Sequence, residues 1–443
     1  MLFRSAAANL LENGDLRNGE KITRLSRAGG FANAEASVFT ERGDLTVAEG
    51  TPLYEALVTN MSKAGTYQGE ILPDLATGQK GNLKLSDLMD TEQGFSDYDD
   101  ARWDKLIAQM SVDELITLTG TGGWSTAAIP SINKASTTDI DGPFGLSNLI
   151  KNTMGIDVNC VSYCSEVVMA STWNTELIER VGEAVAAEAA VTDTSGWYAP
   201  GANLHRTPFG GRNPEYFSED ALLSGKMCAA EASGALKNGL YVYAKHFAFN
   251  ETEANRTSKQ NCYIDEQTAR ELYLRPFEIA IKNDRFDAEG NRVSYGLTGL
   301  MSSYMWYEEN WDGANFDLMT RILREEWGFK GMVITDNAAV VNNWITLNKA
   351  IYGGTDLMLV YNTAKLSSTA ASSDAGISAL KTASKHILWT IADASARRST
   401  QAGSGINFWR ITSISLNVSL CSGAAVQFGL WLKKHLSGKK KPV

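Results

Sequence analysis

Two kinds of hydrophobic pattern alternate through most of this chain. Short runs favouring β-branched, aromatic and aliphatic residues recur at Ala135–Ile140, Trp197–Asn203, Leu240–Ala244, Thr298–Ser302, Met332–Thr335 and Asp356–Val360. Each reads as a buried strand. Longer stretches between them read as helices. Phe217–Asn238 opens on Ser218, Glu219 and Asp220 and is followed by Gly239, a start and a stop signal for one helix. Asp265–Asn283 carries Leu272, Leu274, Phe277, Ile279 and Ile281, and Asp317–Trp327 runs up to Gly328. The acidic run Asp97-Tyr-Asp-Asp100 stands where a helix over Ala101–Ile107 would begin, and negative charge there complements the helix dipole.

Strand–helix alternation over residues 101–400 implies a parallel sheet, either closed as a (β/α) barrel or open and doubly wound. No G-x-G-x-x-G follows a strand and no Walker loop is present, which removes weight from nucleotide-binding open sheets. The predicted strands share another feature. Asp141, Lys245-His246, Tyr304 and Asp336 each follow a strand, and Arg212 lies in the loop after Trp197–Asn203. Barrel enzymes build their sites at that face. The expected fold is therefore α/β, a (β/α)8-like TIM barrel over 101–400. Residues 1–100 have no sustained period and are read as a lead segment wrapping onto the barrel. Residues 401–443 are read as a hydrophobic tail.

The formal net charge of −10 argues against a nucleic-acid partner, which would need clustered Lys and Arg. The five Cys, at 160, 164, 228, 262 and 421, lack zinc spacing, and the four His, at 205, 246, 386 and 435, are scattered. No metal and no organic cofactor is expected. Met1–Leu11 contains Arg4 and leads into no long apolar region, so no signal peptide is expected. Residues 411–432 contain no charged side chain, are flanked by Arg410 and Lys433-Lys434, and as a helix would span roughly 33 Å. Two readings stand for them. One is a membrane anchor with the Lys-rich end cytoplasmic and the barrel outside, at the cell surface. The other is an amphipathic or disordered tail.

The densest chemistry lies in Lys245-His-Phe-Ala-Phe-Asn-Glu-Thr-Glu-Ala-Asn-Arg256. Lys, His, Glu and Arg crowded at a strand end suit a pocket that hydrogen-bonds a polyhydroxylated ligand. The stretch resembles the K-H-F-A-x-N-x-Q-E-x-x-R motif of glycoside hydrolase family 3, with Thr252 in place of Gln. Asp141-Gly-Pro-Phe-Gly145 resembles that family's D-G-P-x-G. Ala199–Pro208 with Gly211–Asp220 resembles P-x-x-N-I-H-R-x-P…G-R-N-x-E-Y-F-S-E-D. Met301-Ser-Ser-Tyr304 resembles M-x-S-Y, and Gly328–Asp336 resembles G-F-x-G-x-V-x-[ST]-D. The resemblance covers most of 85–400. Ser384–Asp393 and Ile22–Ala32 resemble, respectively, the closing barrel helix and the linker of the family's domain-permuted branch, which puts an α/β sandwich before the barrel.

This resemblance implies retaining β-glycoside hydrolysis, with β-glucosidase the leading specificity and a small glycoside or oligosaccharide as substrate. It assigns Asp336 as nucleophile and Asp141, Arg212, Lys245, His246 and Tyr304 to substrate binding. The positive charges of Arg212, Lys245 and His246 are expected to favour the Asp336 carboxylate, and Glu253 with Arg256 to form a supporting pair behind the ligands. In two-domain members a Glu from the sandwich acts as acid/base, so a separate sandwich domain is an expected partner. Glu215, Glu251, Glu308 and Glu309 are the in-chain candidates. The rival reading is a carbohydrate-binding pseudoenzyme or inactive fragment. Asn337, Met305 and Tyr163-Cys164 depart from the family pattern, and Asn337 removes an aromatic residue expected to stack in the outer sugar subsite.

Overall fold

The computed structural model describes residues 65–403, apart from positions 154, 157, 158, 263, 265, 308, 342 and 343. The segment 411–432 and Glu308 lie outside the described residues. Among those described, no helix is long and apolar enough to cross a membrane.

Short buried strands form the centre. They are β1 (Asp139–Asp141), β2 (Gly196–Tyr198), β3 (Tyr241–Val242), β4 (Ala244–Phe247), β5 (Gly299–Ser302) and β6 (Met332–Ile334). β1, β2 and β3 pair in parallel, as do β4, β5 and β6. A parallel bridge from Gly201 to Lys245 links the two sets, and another carries β6 on to Leu357. From there Met358 N–H donates to Thr119 O at 2.9 Å and Gly122 N–H to Met358 O at 2.8 Å. Asp139 N–H donates to Trp124 O at 2.9 Å and Thr137 N–H to Thr126 O at 3.1 Å, an antiparallel pairing that returns to β1. Hydrogen bonds thus run round a ring, and the fold is a TIM-barrel-like α/β architecture. Among the described residues the ring is built from parallel strands and one antiparallel segment.

Side-chain alternation fills the ring in layers, because residues two apart share a face. Tyr241 and Tyr243 donate to the Asp139 carboxylate at 2.6 and 2.9 Å. Burial pushes Asp139 up to about 6, against the pull of those hydrogen bonds. One step higher on the same faces sit Lys245 and Asp141, bonded at 2.6 Å. In β6 the alternation starts at Met332, whose sulfur faces Tyr243, and ends at Asp336.

Helices cover the outside. Ala221–Lys237 is capped by Asp220, which accepts from Leu223 N–H, and stops before Gly239 at φ 76°, as its sequence signals predict. It packs against Thr175–Val191 so closely that a Cβ on Gly182 would lie 2.0 Å from Glu231 O. Asp265–Asn283 is not one helix. A helical stretch through Tyr273 gives way to a separate helix, Arg275–Ile281, with Pro276 at its start. Proline lacks the N–H that would continue the ladder. The helix Asp374–Gly403 lies against residues 65–100. Lys381 donates to Asp74 O at 2.6 Å, Trp389 donates to Ser96 O at 2.8 Å, and Leu85 and Leu88 enter the common core.

Candidate active site

Asp336 follows β6 by two residues and is largely buried. Its Oδ1 accepts from Asn337 N–H at 2.7 Å, and its Oδ2 accepts from Arg256 Nη1 at 2.9 Å. His246 Nε2 lies 3.8 Å from the same Oδ2. The Arg256 guanidinium also contacts Glu253 at 2.6 Å and lies 4.8 Å from the centre of the Tyr304 ring. Tyr304 donates its hydroxyl to Asn337 O at 2.5 Å, and burial, with the Asp336 carboxylate beside it, pushes that hydroxyl up. A staggered row of charges continues from there. Glu253 approaches Arg212 at 3.9 Å, and Arg212 is in turn paired with Glu215.

β4 contributes two adjacent residues that alternation alone would send to opposite faces. Its pairing with β5 shifts register between Lys245 and Phe247, so His246 is an extra residue in the ladder. Lys245 reaches Asp141, while His246 turns to Arg212 and Asp336. Asn203 holds the His246 main chain from both sides, accepting from its N–H at 2.7 Å and donating to its carbonyl at 3.1 Å. Asn203 also donates to Glu251 at 3.2 Å.

The protonation of His246 follows from its partners. Burial, then the surrounding Arg212, Lys245 and Arg256 cations, push its pKa well below 6.5. Arg212 Nη1 lies 2.8 Å from Nε2 and can only donate, so Nε2 is the bare nitrogen. Nδ1 then carries the proton and donates to Tyr216 Oη at 3.2 Å. His246 is neutral. The expectation that it adds positive charge beside Asp336 is corrected by its burial among three cations. Lys245, too, spends its charge on Asp141. Arg256, expected behind the ligands, is the residue that meets Asp336 directly.

The structure thus connects Asp336, Tyr304, Arg212 and His246 through Arg256 and Glu253. It places the Asp141–Lys245 pair on the neighbouring strands at the same end of the ring. Arg256 and Asn203 were missed as site residues. Arg256 could have been found as the last cation of the crowded segment, whereas nothing local marks Asn203. Of the glutamates weighed as acid/base, Glu215 is bound to Arg212, and Glu309 accepts from Asn261 at 3.2 Å. Glu251 is buried and accepts from Asn203 and Leu204 N–H; burial pushes it up to about 7. Among the described residues no cluster of three or more His, Cys, Asp or Glu could hold a metal ion.

Residues 161–390 match the model of the glycosyl hydrolase family 3 N-terminal domain. A β-glucosidase of Rhizobium radiobacter is 34% identical over 53% of this chain and 27% of its own length. A β-glucosidase of Ruminococcus albus is 31% identical over 67% of this chain and 30% of its own. The chain therefore spans less than a third of the length of these relatives. The solved β-glucosidase 3B from Thermotoga neapolitana in complex with glucose superposes with TM-score 0.54 at 26% identity, over 68% of this chain and 44% of that one. A β-glucosidase from Paenibacillus barengoltzii superposes with TM-score 0.58 at 26% identity, over 73% and 36%.

Proposed function

The chain belongs to glycosyl hydrolase family 3, and from that premise we propose that its barrel is the nucleophile-bearing half of a retaining β-glucosidase-like enzyme. The observation that carries this reading is the setting of Asp336. Its carboxylate stands at a strand end and is oriented by Arg256 and Asn337 N–H. A retaining glycosidase needs such a carboxylate to attack the anomeric carbon, and a second carboxyl group about 5–5.5 Å away to protonate the leaving oxygen. Asp141, Lys245 and Arg212 present charged groups of both signs to sugar hydroxyls, and hydrogen bonds to charged groups are the strong ones. His246 fixes Arg212 through Nε2. Tyr304 buttresses both Arg256 and the main chain next to Asp336.

Among the described residues, the candidate glutamates are engaged elsewhere, Glu309 with Asn261. Glu215 and Glu253 are bound to Arg212 and Arg256. Glu251 points at Asn203 and Leu204, with Arg206, Cys262 and Asp312 as its charged or titratable neighbours. We read the acid/base as supplied from outside this barrel, by a sandwich domain on another stretch of chain or another subunit. We also propose 101–400 as the catalytic barrel and 65–100 as part of a lead segment packed on it; residues 1–64 and 404–443 lie outside the described residues. These engaged glutamates also favour the second reading, a carbohydrate-binding pseudoenzyme. A 2,4-dinitrophenyl 2-deoxy-2-fluoro-β-glucoside separates the two. Covalent mass gain mapped to Asp336 supports the enzyme. Reversible binding without label supports the pseudoenzyme.

A further inference from the structure

Asp141 is aimed by the loop that follows it, and that loop is held from outside the ring. Gly142 N–H donates to Asp141 Oδ1 at 2.8 Å, beside the Lys245 bond to the same oxygen. Ser147 N–H donates to Asp141 O at 2.8 Å, which folds residues 142–147 back over the strand end. Trp197 Nε1–H donates to Gly142 O at 2.7 Å. The far side of the loop meets a second segment, residues 160–163. Tyr163 N–H donates to Phe144 O at 2.8 Å. Asn148 accepts from Cys160 N–H at 2.8 Å and donates to its carbonyl at 2.9 Å. Gly145 lies at the contact. A Cβ there would sit 2.8 Å from Val161 O and 2.9 Å from the Tyr163 ring, and glycine alone admits that approach.

Segment 160–163 forms no helix or strand, so its place depends on bonds from its neighbours. One carboxylate supplies two of them. Glu188 Oε2 accepts from Val161 N–H at 3.0 Å, and Oε1 accepts from the Tyr163 hydroxyl at 2.9 Å. Glu188 belongs to the last turn of the helix Thr175–Val191, on the outside of the barrel. A carboxylate there faces the negative end of the helix dipole, so the helix itself gains nothing from it. Lys151, fully buried, and Glu188 are the charged neighbours of Cys160, which brings a cation to the same corner. Burial, and then the Glu188 carboxylate, push the Tyr163 hydroxyl up, so it stays protonated and donating. Tyr163 is one of the places where this chain departs from the family pattern, and its hydroxyl is the atom that makes this bond.

We propose that Glu188 is a positioning residue for sugar binding. Through Val161 and Tyr163 it clasps the loop 142–148, and the clasped loop fixes the Asp141 carboxylate. Glu188 itself acts from behind and touches no ligand. This rests on the glycosidase reading above.

Two measurements on the full chain test the relay. In hydrogen exchange read by mass spectrometry, Glu188→Ala should let the amides of 142–147 exchange roughly tenfold faster, with the helix Ala221–Lys237 unchanged. In calorimetric titration, methyl 1-thio-β-glucoside should bind that variant roughly five- to tenfold more weakly. Glu188→Gln should restore both, since its amide can accept from Val161 N–H and donate to the Tyr163 oxygen. Tyr163→Phe removes one of the two bonds and should weaken binding roughly two- to threefold. It decides the case if Glu188→Ala exchanges fast throughout the chain and so fails to fold. Unchanged exchange at 142–147 overturns the clasp. Faster exchange there with unchanged affinity overturns the positioning role and leaves the glycosidase reading standing. Losses in Glu188→Gln equal to those in Glu188→Ala overturn the tether. No binding by the wild-type chain overturns the glycosidase reading and the positioning role together.

Discussion

Replacing Glu251 by Gln should stabilise this protein at alkaline pH and leave it unchanged in acid. In the folded chain burial raises the Glu251 carboxyl from 4.5 to about 7. The sign follows from proton binding. Between those two values the folded state holds a proton that the unfolded state has released, so stability falls as pH rises from 4.5 to about 7 and then levels off. The interval is about 2.5 pH units, and at ~1.36 kcal/mol per unit the loss by pH 8 is about 3 kcal/mol. Glutamine mimics the protonated acid. Its carbonyl can still accept from Asn203 and Leu204 N–H, so the Asn203 clamp on His246 survives. Urea unfolding of both proteins at pH 5 and pH 8 measures the effect. A variant more stable by under about 1 kcal/mol at pH 5 and by about 3 kcal/mol at pH 8 is the expected result. Asp139, raised to about 6, and Glu231, raised to about 8, both by burial, steepen the wild-type pH dependence in the same direction. Subtracting the two curves removes them, provided the sites are independent. If wild type and Glu251→Gln lose the same stability between pH 5 and 8, Glu251 ionises freely in the folded protein and the argument fails.

Three further outcomes are expected. With dinitrophenyl β-glucosides the chain alone should give a burst and then a slow steady state, because an absent acid/base forfeits about 10²–10⁴-fold; azide should speed the second phase to a β-glycosyl azide, and Asp336→Asn should abolish the burst. Efficient cellobiose hydrolysis unaffected by azide would contradict this. Arg256→Met should slow the burst by on the order of 10²-fold in stopped-flow absorbance, since Asp336 loses the group that orients it; an unchanged burst rate would show that Asn337 N–H suffices. Asp356→Ala should destabilise the fold by about 3–5 kcal/mol in urea unfolding, because buried Asp356 pairs with half-buried Arg324 at 2.7 Å and also accepts from Val333 N–H and His386; a loss below about 1 kcal/mol would show that this charge cluster contributes little.

Local pattern made the strand ends legible. Strands with side chains of period two, ended by Asp141, Lys245, Tyr304 and Asp336, announce a polar rim over an apolar ring, and the capping of Ala221–Lys237 can be read from Asp220 and Gly239 alone. These features depend on neighbours a few residues away, so the sequence carries them. The break at Pro276 was equally local and should have been read.

Other features exist only once distant segments meet. Arg256 and Asp336 are 80 positions apart, and no periodicity pairs them. The register shift in β4 depends on β5, and it turns His246 toward Arg212 when simple alternation would not. The charge of His246 is a through-space property. Its type leaves the charge open near neutral pH, but burial beside Arg212, Lys245 and Arg256 keeps the proton off. The antiparallel return through Trp124 likewise appears only when the ring closes. The sequence by itself determined which residues could carry the chemistry. Tertiary structure decided which are charged and which carboxylate each cation meets, because desolvation and Coulomb energy depend on distances in space and not on spacing along the chain.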